Sequence, residues 1–184
     1  MFTAVLVVVA ILQWLVFTRQ LDAMRKDQRA WIAESDLSPL PFVAGQPLRF
    51  TWNVRNTGKS PAKNVEGKFY DEVVPNGGPQ PHFDPSDTAA DRFFTGVLMP
   101  NASLDVHPIR LKTAQNGAIV PVPLSEAEKN SLAVQQAWVA IYGRIDFEDI
   151  FKTKHWVKFC FPYFPGPDLY TYMSCTRYNK MDDN

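Results

Sequence analysis

The stretch LRFTWNVRNTGKSPAKNV, residues 48–65, decides the fold of this chain. Leu48, Phe50, Trp52 and Val54 alternate with polar residues, which is the pattern of a strand with one buried and one solvated face. The segment NTGKSP follows, in which Asn and Gly tolerate positive φ and Pro cannot donate to a strand ladder. Alternation resumes over Ala62 to Phe69. The stretch therefore predicts two strands joined by a turn.

The letters Gly58-Lys59-Ser60 within this stretch also occur in phosphate-binding P-loops. A P-loop needs a further glycine upstream and a helix downstream, so that backbone N–H groups meet the anion. Position 53 is Asn, and Pro61 begins a predicted strand. The motif is therefore interpreted as a turn.

Composition bounds the class of protein. A chain of 184 residues has room for one domain with a short appendage. Fifteen Pro and nine Gly between short apolar runs are typical of an all-β domain. Lys plus Arg and Asp plus Glu are equal at 19 each, which argues against a nucleic-acid partner.

The run FTAVLVVVAILQWLVF, residues 2–17, contains no charge, Pro or Gly. As a helix it covers about 24 Å, slightly less than a hydrocarbon core of about 30 Å. An uncleaved anchor that contacts the lipid bilayer is predicted, because a basic region before the run and a small-x-small cleavage site after it are both missing. The anchor residues are Phe2, Val5, Leu6, Val9, Leu12, Trp14 and Phe17, with Arg19 at the interface.

The anchor is expected to continue as one helix. No Pro or Gly lies between Met1 and Ser38, and Gln20 to Glu34 is rich in helix formers. Pro39 and Pro41 then end the helix. The predicted division is therefore 1–38, a transmembrane anchor with a juxtamembrane helix, and 39–184, a β-domain.

The side of the membrane is predicted from charge. Arg19, Arg25, Lys26 and Arg29 follow the apolar run, and no Lys or Arg precedes it. The positive-inside rule predicts that the body lies on the cytoplasmic side of a bacterial inner membrane. A periplasmic body is the alternative, because a β-rich domain with two cysteines also suits an oxidising compartment.

The predicted fold is an immunoglobulin-like β-sandwich of about seven strands, with a closed β-barrel as the alternative. Ser125 and Glu128 form a capping box before one short helix, Lys129 to Val134. Trp138 to Tyr142 is apolar on both faces, which predicts a central strand. The further strands are expected at 93–99, 104–111, 137–145, 155–161 and 169–175.

Several short motifs carry a resemblance. They are Arg29-Ala30-Trp31-Ile32, NTGKSPAKNV, Tyr142-Gly143-Arg144-Ile145-Asp146 and His155-Trp156-Val157-Lys158-Phe159-Cys160. Together they resemble a group of uncharacterised bacterial single-pass membrane proteins, which implies no activity. The strand, turn and PAKNV segment are also similar to CARDB-type immunoglobulin-like modules, which implies an adhesive or spacer domain without catalysis.

Cys160 and Cys175 flank a Pro- and Gly-rich segment centred between Pro167 and Asp168. A hairpin folded there would make them cross-strand neighbours, close enough for a disulfide. For the cytoplasmic domain predicted above, two buried thiols are the favoured interpretation and the disulfide is the alternative. Only His155 lies close enough in sequence to act with the two cysteines as a zinc ligand, which is too few for a zinc site. Neither a metal site nor a cofactor is therefore predicted.

The segment from Asp146 to His155 gathers three carboxylates, two lysines and one imidazole. An acid/base site pairing His155 with Asp146 or Asp149 is one interpretation. A charged connection between two strands is the other, and it is favoured because loops are polar in general. No catalytic residue is therefore predicted.

The segment from Glu72 to Arg92 reads as a long loop. Unstructured loops beyond about 12 to 15 residues are often functional. His82, Phe83, Asp84 and Asp87 are its candidate contact residues, and the aspartates do not follow the spacing of a calcium loop.

The sequence therefore predicts a non-catalytic, membrane-anchored module that binds another protein in or at the membrane, as an accessory subunit of a membrane complex. A membrane-tethered ligand-binding or sensing domain is the alternative.

Overall fold

A computed structural model describes residues 2–39, 41–79, 81, 90–164, 175 and 180–182. The helices are α1 (Phe2–Gln28) and α2 (Glu126–Ala133). The strands are β1 (Ile32–Pro39), β2 (Phe50–Asn56), β3 (Ala62–Pro75), β4 (Asp91–Leu98), β5 (Ser103–Val106), β6 (Leu111–Thr113), β7 (Ile119–Pro121), β8 (Ala137–Glu148), β9 (Lys154–Tyr163) and β10 (Lys180–Met181). The protein is thus mainly β, with an apolar helix at the N-terminal end.

The strands form antiparallel sheets. One has the order β1-β2-β5, a second has the order β10-β9-β8-β3-β4, and β6 pairs with β7. In the second sheet β8 is central and pairs with β3 and β9, through Phe69 opposite Gly143 and Tyr142 opposite Cys160. β4 lies at one end of this order and β10 at the other.

The core joins the first two sheets through aromatic side chains. Trp52 on β2 lies 4.8 Å from Phe69 on β3 and 4.5 Å from Phe159 on β9, measured between ring centroids. All three rings are almost completely buried. Phe69 also stacks on Phe93, with 5.2 Å between the ring centroids. Gly67 provides the space for the Phe93 ring, since a Cβ at position 67 would lie 1.9 Å from that ring. The alternating residues of β2 therefore supply the centre of the core.

Several predictions are confirmed. β2 is buried at Phe50, Trp52 and Val54 and more exposed between them, and the NTGKSP turn leads directly into β3. β8 is buried on both faces over residues 139–143 and is central in its sheet. The capping box of α2 is present, with the Ser125 hydroxyl accepting from the Glu128 N–H and the Glu128 carboxylate accepting from the Ser125 N–H.

The predicted continuous helix to residue 38 is wrong. α1 ends at Gln28, and Ile32–Pro39 forms β1, which pairs along β2 from Ile32 opposite Asn56 to Pro39 opposite Phe50. Arg29 and Ala30 are buried. Tertiary pairing therefore overrides the helix propensity of this segment, because propensity is worth only tenths of a kcal/mol per residue.

Three other expectations on strands need correction. The predicted strand 104–111 is two strands, β5 and β6, separated around Pro108, which has no N–H for a ladder. Residues 72–75 belong to β3 rather than to a loop, and Asp91 begins β4. The predicted strand 169–175 lies outside the described residues except at Cys175, which is not in a strand.

The C-terminal end of the described chain pairs with β9. β10 pairs Lys180 with Lys158 and Met181 with Val157. The backbone N–H groups explain the observed register: Trp156 N–H donates to Asp182 Oδ1 at 3.1 Å, and Asp182 N–H donates to the Trp156 carbonyl at 3.2 Å.

α1 is long and apolar enough to span a membrane. Within Val5–Gln28, a window of 18 residues has a mean hydropathy of 1.6, and none of that window is buried in the protein. Trp14 on this helix is 69% exposed. The body of the protein therefore leaves the apolar surface of α1 uncovered.

Candidate functional site

The junction between α1 and the body is organised by the buried amide of Asn56, at the end of β2. Its Oδ1 accepts hydrogen bonds from the Trp31 N–H at 3.3 Å and the Gly58 N–H at 2.9 Å. Its Nδ2 donates to the carbonyls of Ser60 at 2.8 Å and Leu98 at 2.9 Å. All four hydrogen bonds that an amide can make are therefore used, and they join the turn, β4 and the chain that leaves α1.

The turn after β2 receives the backbone that follows α1. Thr57 N–H donates to the Trp31 carbonyl at 2.7 Å, and Lys59 N–H donates to the Arg29 carbonyl at 3.3 Å. A Cβ on Gly58 would lie 2.4 Å from the Trp31 nitrogen and 2.5 Å from the Arg29 oxygen. Gly58 is thus required by this close approach of two backbone segments.

A second contact holds the end of α1 from outside. Lys59 Nζ donates to both oxygens of Asp27, at 2.7 and 2.6 Å. Both side chains are 63% exposed, so solvent screening makes this ion pair a small contribution to stability. Gly58 and Lys59 therefore contact the segment at the end of α1. The turn that contains them is followed by strand β3, whereas a P-loop is followed by a helix.

His155 lies at the same junction, between two aspartates. Its Nδ1 is 2.6 Å from Asp182 Oδ2 and its Nε2 is 3.0 Å from Asp149 Oδ2. The ring is 3% exposed. Only the imidazolium form can donate to both carboxylates, because a neutral imidazole has one donor and one acceptor.

Each aspartate has further partners. Asp149 Oδ1 accepts from the N–H groups of Phe151 at 2.8 Å and Thr153 at 3.0 Å, which shapes the connection between β8 and β9. Asp182 accepts the Trp156 N–H and lies 3.9 Å from the guanidinium of Arg29. The buried cluster of Arg29, Asp149, His155 and Asp182 thus gives every carboxylate at least two polar partners.

Arg29 connects this cluster to the helix. Its guanidinium lies 3.5 Å from the centre of the Trp31 ring and donates to the Asp182 carbonyl at 3.4 Å. The side chain is only 7% exposed. A cation over an aromatic face is stabilised most when it is desolvated, as here.

A cavity of about 310 Å³ adjoins the cluster. One wall comes from the last turns of α1 and the residue after it, with Asp22, Arg25, Lys26 and Arg29. The other comes from the β8–β9 connection and the start of β9, with Asp149, Phe151, Thr153 and His155. The cavity thus lies where the helix leaves the body, and most of its lining is polar or charged.

A separate buried carboxyl lies away from the helix. Asp71 on β3 has one buried oxygen, Oδ2, without a hydrogen-bond partner. Burial is the main cause that raises the pKa of Asp71 to about 7. The negative charges of Asp91 and Glu128 also raise this pKa, and the positive charge of Arg110 lowers it. For Glu128, burial alone would raise the pKa, but hydrogen bonds from Ser125 and Arg110 outweigh it and lower the pKa.

The outer edge of the five-stranded sheet carries exposed apolar side chains. Phe94 is 69% exposed, Val97 51% and Met99 56%, and they lie along β4 and just after it. β4 pairs with β3 on one side and ends the strand order on the other. Such an edge offers both backbone groups and apolar surface to a partner.

The structure gives the positions of most other residues that the sequence analysis singled out. The anchor side chains Val5, Leu6, Val9, Leu12, Trp14 and Phe17 are exposed along α1, as is Arg19. Cys160 and Cys175 are joined by a disulfide and are both buried. His82, Phe83, Asp84 and Asp87 lie outside the described residues. Asp146 does not reach His155; it accepts from Arg144 Nε at 2.9 Å.

Comparison with known proteins gives little. No family model matches the chain, and no curated protein matches it. A solved structure titled "X-ray structure of Northeast Structural Genomics Consortium target SoR45" is similar over 78% of this chain and 92% of that chain, with 9% identity and a TM-score of 0.38. A likeness this distant carries no argument about function.

Sequence reasoning missed Asp182, Arg29 and Asn56 as members of one site. Asp182 is 153 residues from Arg29 and 27 from His155. The signal available was the set of motifs around Arg29, NTGKS and His155, which the fold brings together at the end of α1. Among the described residues no group of three or more His, Cys, Asp or Glu side chains has the arrangement of a metal site.

Proposed function

We propose that this protein is a non-catalytic, membrane-anchored module that binds another protein in or at the membrane, as an accessory subunit of a membrane complex. The observation that carries this proposal is the edge of β4, which ends the strand order of its sheet among the described residues and exposes Phe94, Val97 and Met99. An extended segment of a partner can add to such an edge by backbone hydrogen bonds, and the apolar side chains supply contact area.

The anchor supports the location of this binding. α1 is unburied and apolar, and its end is fixed to the body by the Asn56 amide and by backbone hydrogen bonds to Thr57 and Lys59. The body is therefore held close to the bilayer, where the search for a membrane partner is confined to two dimensions. A short connection also raises the effective concentration of the body near such a partner.

The proposed architecture of the body is an immunoglobulin-like β-sandwich. The strand orders β1-β2-β5 and β9-β8-β3-β4 support it, since they correspond to strands A-B-E and G-F-C-C′ of that fold. The aromatic contacts of Trp52 with Phe69 and Phe159 support it as well, because they join the two sheets. This architecture commonly serves as an interaction domain, although a fold alone does not define a function.

The proposal that the protein is not an enzyme rests on His155. Both of its ring nitrogens are engaged by carboxylates, and the ring is 3% exposed. A general base must reach the proton of a substrate, and this imidazole has no nitrogen left to do so. The His155 cluster is therefore assigned to structure.

The proposed location is a bacterial inner membrane with the body on the cytoplasmic side. Arg19, Arg25 and Lys26 support it through the positive-inside rule. The Cys160–Cys175 disulfide favours the periplasmic alternative, because disulfides persist in oxidising compartments. Protease added outside intact cells should leave a cytoplasmic body uncut; cleavage of the body from outside would place it in the periplasm.

Affinity purification from native membranes tests the interaction. The full-length protein is compared with Phe94→Asp, which puts a charge on the β4 edge, and with Val134→Asp, which puts one on a 62% exposed apolar residue after α2. We expect stoichiometric partners to be retained by the wild type and Val134→Asp and to be lost from Phe94→Asp. Equal retention of the partner proteins by the wild type and both variants would show that β4 is not the binding surface.

The second candidate function is a membrane-tethered ligand-binding or sensing domain. The cavity of about 310 Å³ at the junction favours it, since small-molecule sites are concave with a few convergent polar groups.

A further inference from the structure

The cavity beside α1 lies at the depth of lipid headgroups, if α1 spans the membrane as proposed above. Arg19 is the first charged residue after the apolar run. Asp22 lies about 4 to 5 Å beyond Arg19 along the helix axis, and Lys26 about 10 Å, at about 1.5 Å per residue. The headgroup layer is about 5 to 7 Å thick on each side of the hydrocarbon core. The cavity therefore begins within this layer.

Side-chain direction brings the cations closer to the bilayer. Each Cα–Cβ bond of a helix tilts toward its N-terminus, which here is the membrane end. Arg25 and Lys26 are exposed on the last turns of α1. Their long side chains can thus place guanidinium and ammonium groups nearer the headgroups than their own Cα atoms.

Two cations on the helix wall take no part in the buried cluster. Arg29 lies 3.9 Å from Asp182, and Asp149 accepts from two backbone N–H groups besides its contact with His155. Arg25 and Lys26 remain on the helix wall of the cavity, with Asp22 as the one carboxylate on that wall. In the described part of the chain the contact of Arg25 is with the ring of Phe151, at 5.8 Å, and no carboxylate lies within 4.0 Å of Lys26.

We propose that this cavity binds the phosphate of an anionic lipid headgroup through Arg25 and Lys26. Arg can donate two parallel hydrogen bonds to phosphate oxygens, and Lys supplies a compact charge. Basic pockets at the cytoplasmic surface of membranes suit anionic headgroups. Phe151 would contact the glycerol or the first methylenes of the lipid. The inference rests on the membrane anchoring proposed above and adds a ligand to it.

Native mass spectrometry of the full-length protein tests this proposal. The protein is purified in a mild detergent and mixed with phosphatidylglycerol or with phosphatidylcholine, whose headgroup has a phosphate but no net charge. Arg25→Gln and Lys26→Gln remove cations of the cavity. Arg55→Gln is the matched control, because it removes the same charge from an exposed position on β2, away from both the cavity and the membrane-facing helix.

We expect the wild type and Arg55→Gln to retain one phosphatidylglycerol and little phosphatidylcholine. Each cavity variant should retain about five-fold less, because one cation near an anionic surface contributes about 1 kcal/mol. Equal retention by all four proteins would overturn the proposal. Circular dichroism checks that the variants are folded, which is expected because both side chains are exposed.

Two further measurements separate the alternatives. Thermal stabilisation by millimolar inorganic phosphate that is lost in Arg25→Gln and Lys26→Gln, without retained phosphatidylglycerol, would overturn the lipid assignment in favour of free phosphate. Membrane fractionation reports anchoring independently. A wild type found in the soluble fraction would refute anchoring itself, whereas a membrane-bound wild type with equal lipid retention by every variant refutes only the headgroup site.

Discussion

The Oδ1 atom of Asn56 accepts a hydrogen bond from the backbone N–H of Trp31, 25 residues earlier in the chain. This contact joins the end of β2 to the segment between α1 and β1. Because the Asn56 side chain is completely buried, its four hydrogen bonds form without competition from water. The orientation of the helix relative to the body depends on this one amide and on the turn beside it.

Asn56→Asp should destabilise the body by about 3 kcal/mol or more. The new oxygen would face the carbonyls of Ser60 and Leu98, which now accept hydrogen bonds from Nδ2. Chemical unfolding of the full-length protein in detergent, followed by tryptophan fluorescence, measures the change. Asn130→Asp, at an exposed position of α2, is the control and should change stability by less than about 0.5 kcal/mol. Similar values for both variants would contradict the role of Asn56.

Gly58→Ala should cost about 1 to 3 kcal/mol, because its methyl group would overlap the backbone of Arg29 and Trp31. Gly96→Ala is the matched control, since a Cβ at that position meets nothing within 4 Å. The midpoint of thermal unfolding gives both values. A Gly58→Ala protein as stable as Gly96→Ala would show that the turn does not pack closely against the segment after α1.

His155→Gln should destabilise the protein by about 1 to 3 kcal/mol, because Asp149 and Asp182 would each lose a buried hydrogen-bond partner. Asp149 and Asp182 would then remain buried together, with Arg29 as their cation. His107→Gln, at an exposed histidine, should have little effect. Denaturant unfolding of both variants at one pH makes the comparison. An effect on stability no larger than that of His107→Gln would place His155 outside the structural core.

Asp71 should make the protein less stable at pH 8 than at pH 5. Its folded pKa of about 7 lies above its ordinary value of 3.8. Between these values the folded state binds the extra proton, so its contribution is present at low pH and is lost as the pH rises through about 7. The shift corresponds to at most about 4 kcal/mol. Asp71→Asn should flatten this dependence.

The measurement for Asp71 is thermal unfolding at pH 5 and pH 8, compared with the exposed Asp105→Asn as control. The control should keep the slope of the wild type. A slope that survives in Asp71→Asn would assign the pH dependence to another group.

The parts of the fold that could be predicted depend on neighbours in sequence. β2 was predictable from the alternation of Phe50, Trp52 and Val54, and α2 from the capping box of Ser125 and Glu128, since each pattern operates over a few residues. β1 was not predictable in the same way. Its residues favour a helix locally, and only pairing with β2 makes them a strand.

The candidate site was only partly predictable for the same reason. Asp149 and His155 are six residues apart, and their pairing was one interpretation of the charged segment. Asp182 joins them because β10 pairs with β9, and Arg29 joins them because α1 ends at Gln28. Both arrangements depend on tertiary contacts, which the local periodicity of the sequence does not reveal.

Photo-crosslinking from position 94 tests the central claim most directly. A photoreactive phenylalanine analogue replaces Phe94 on the β4 edge, and the same analogue replaces Val134 as the control, each in the full-length protein in native membranes. We predict a covalent adduct with one membrane protein from position 94 that is missing from position 134. No adduct from position 94, or the same adducts from both positions, would contradict the assignment of this protein as a membrane-anchored interaction module that binds through β4.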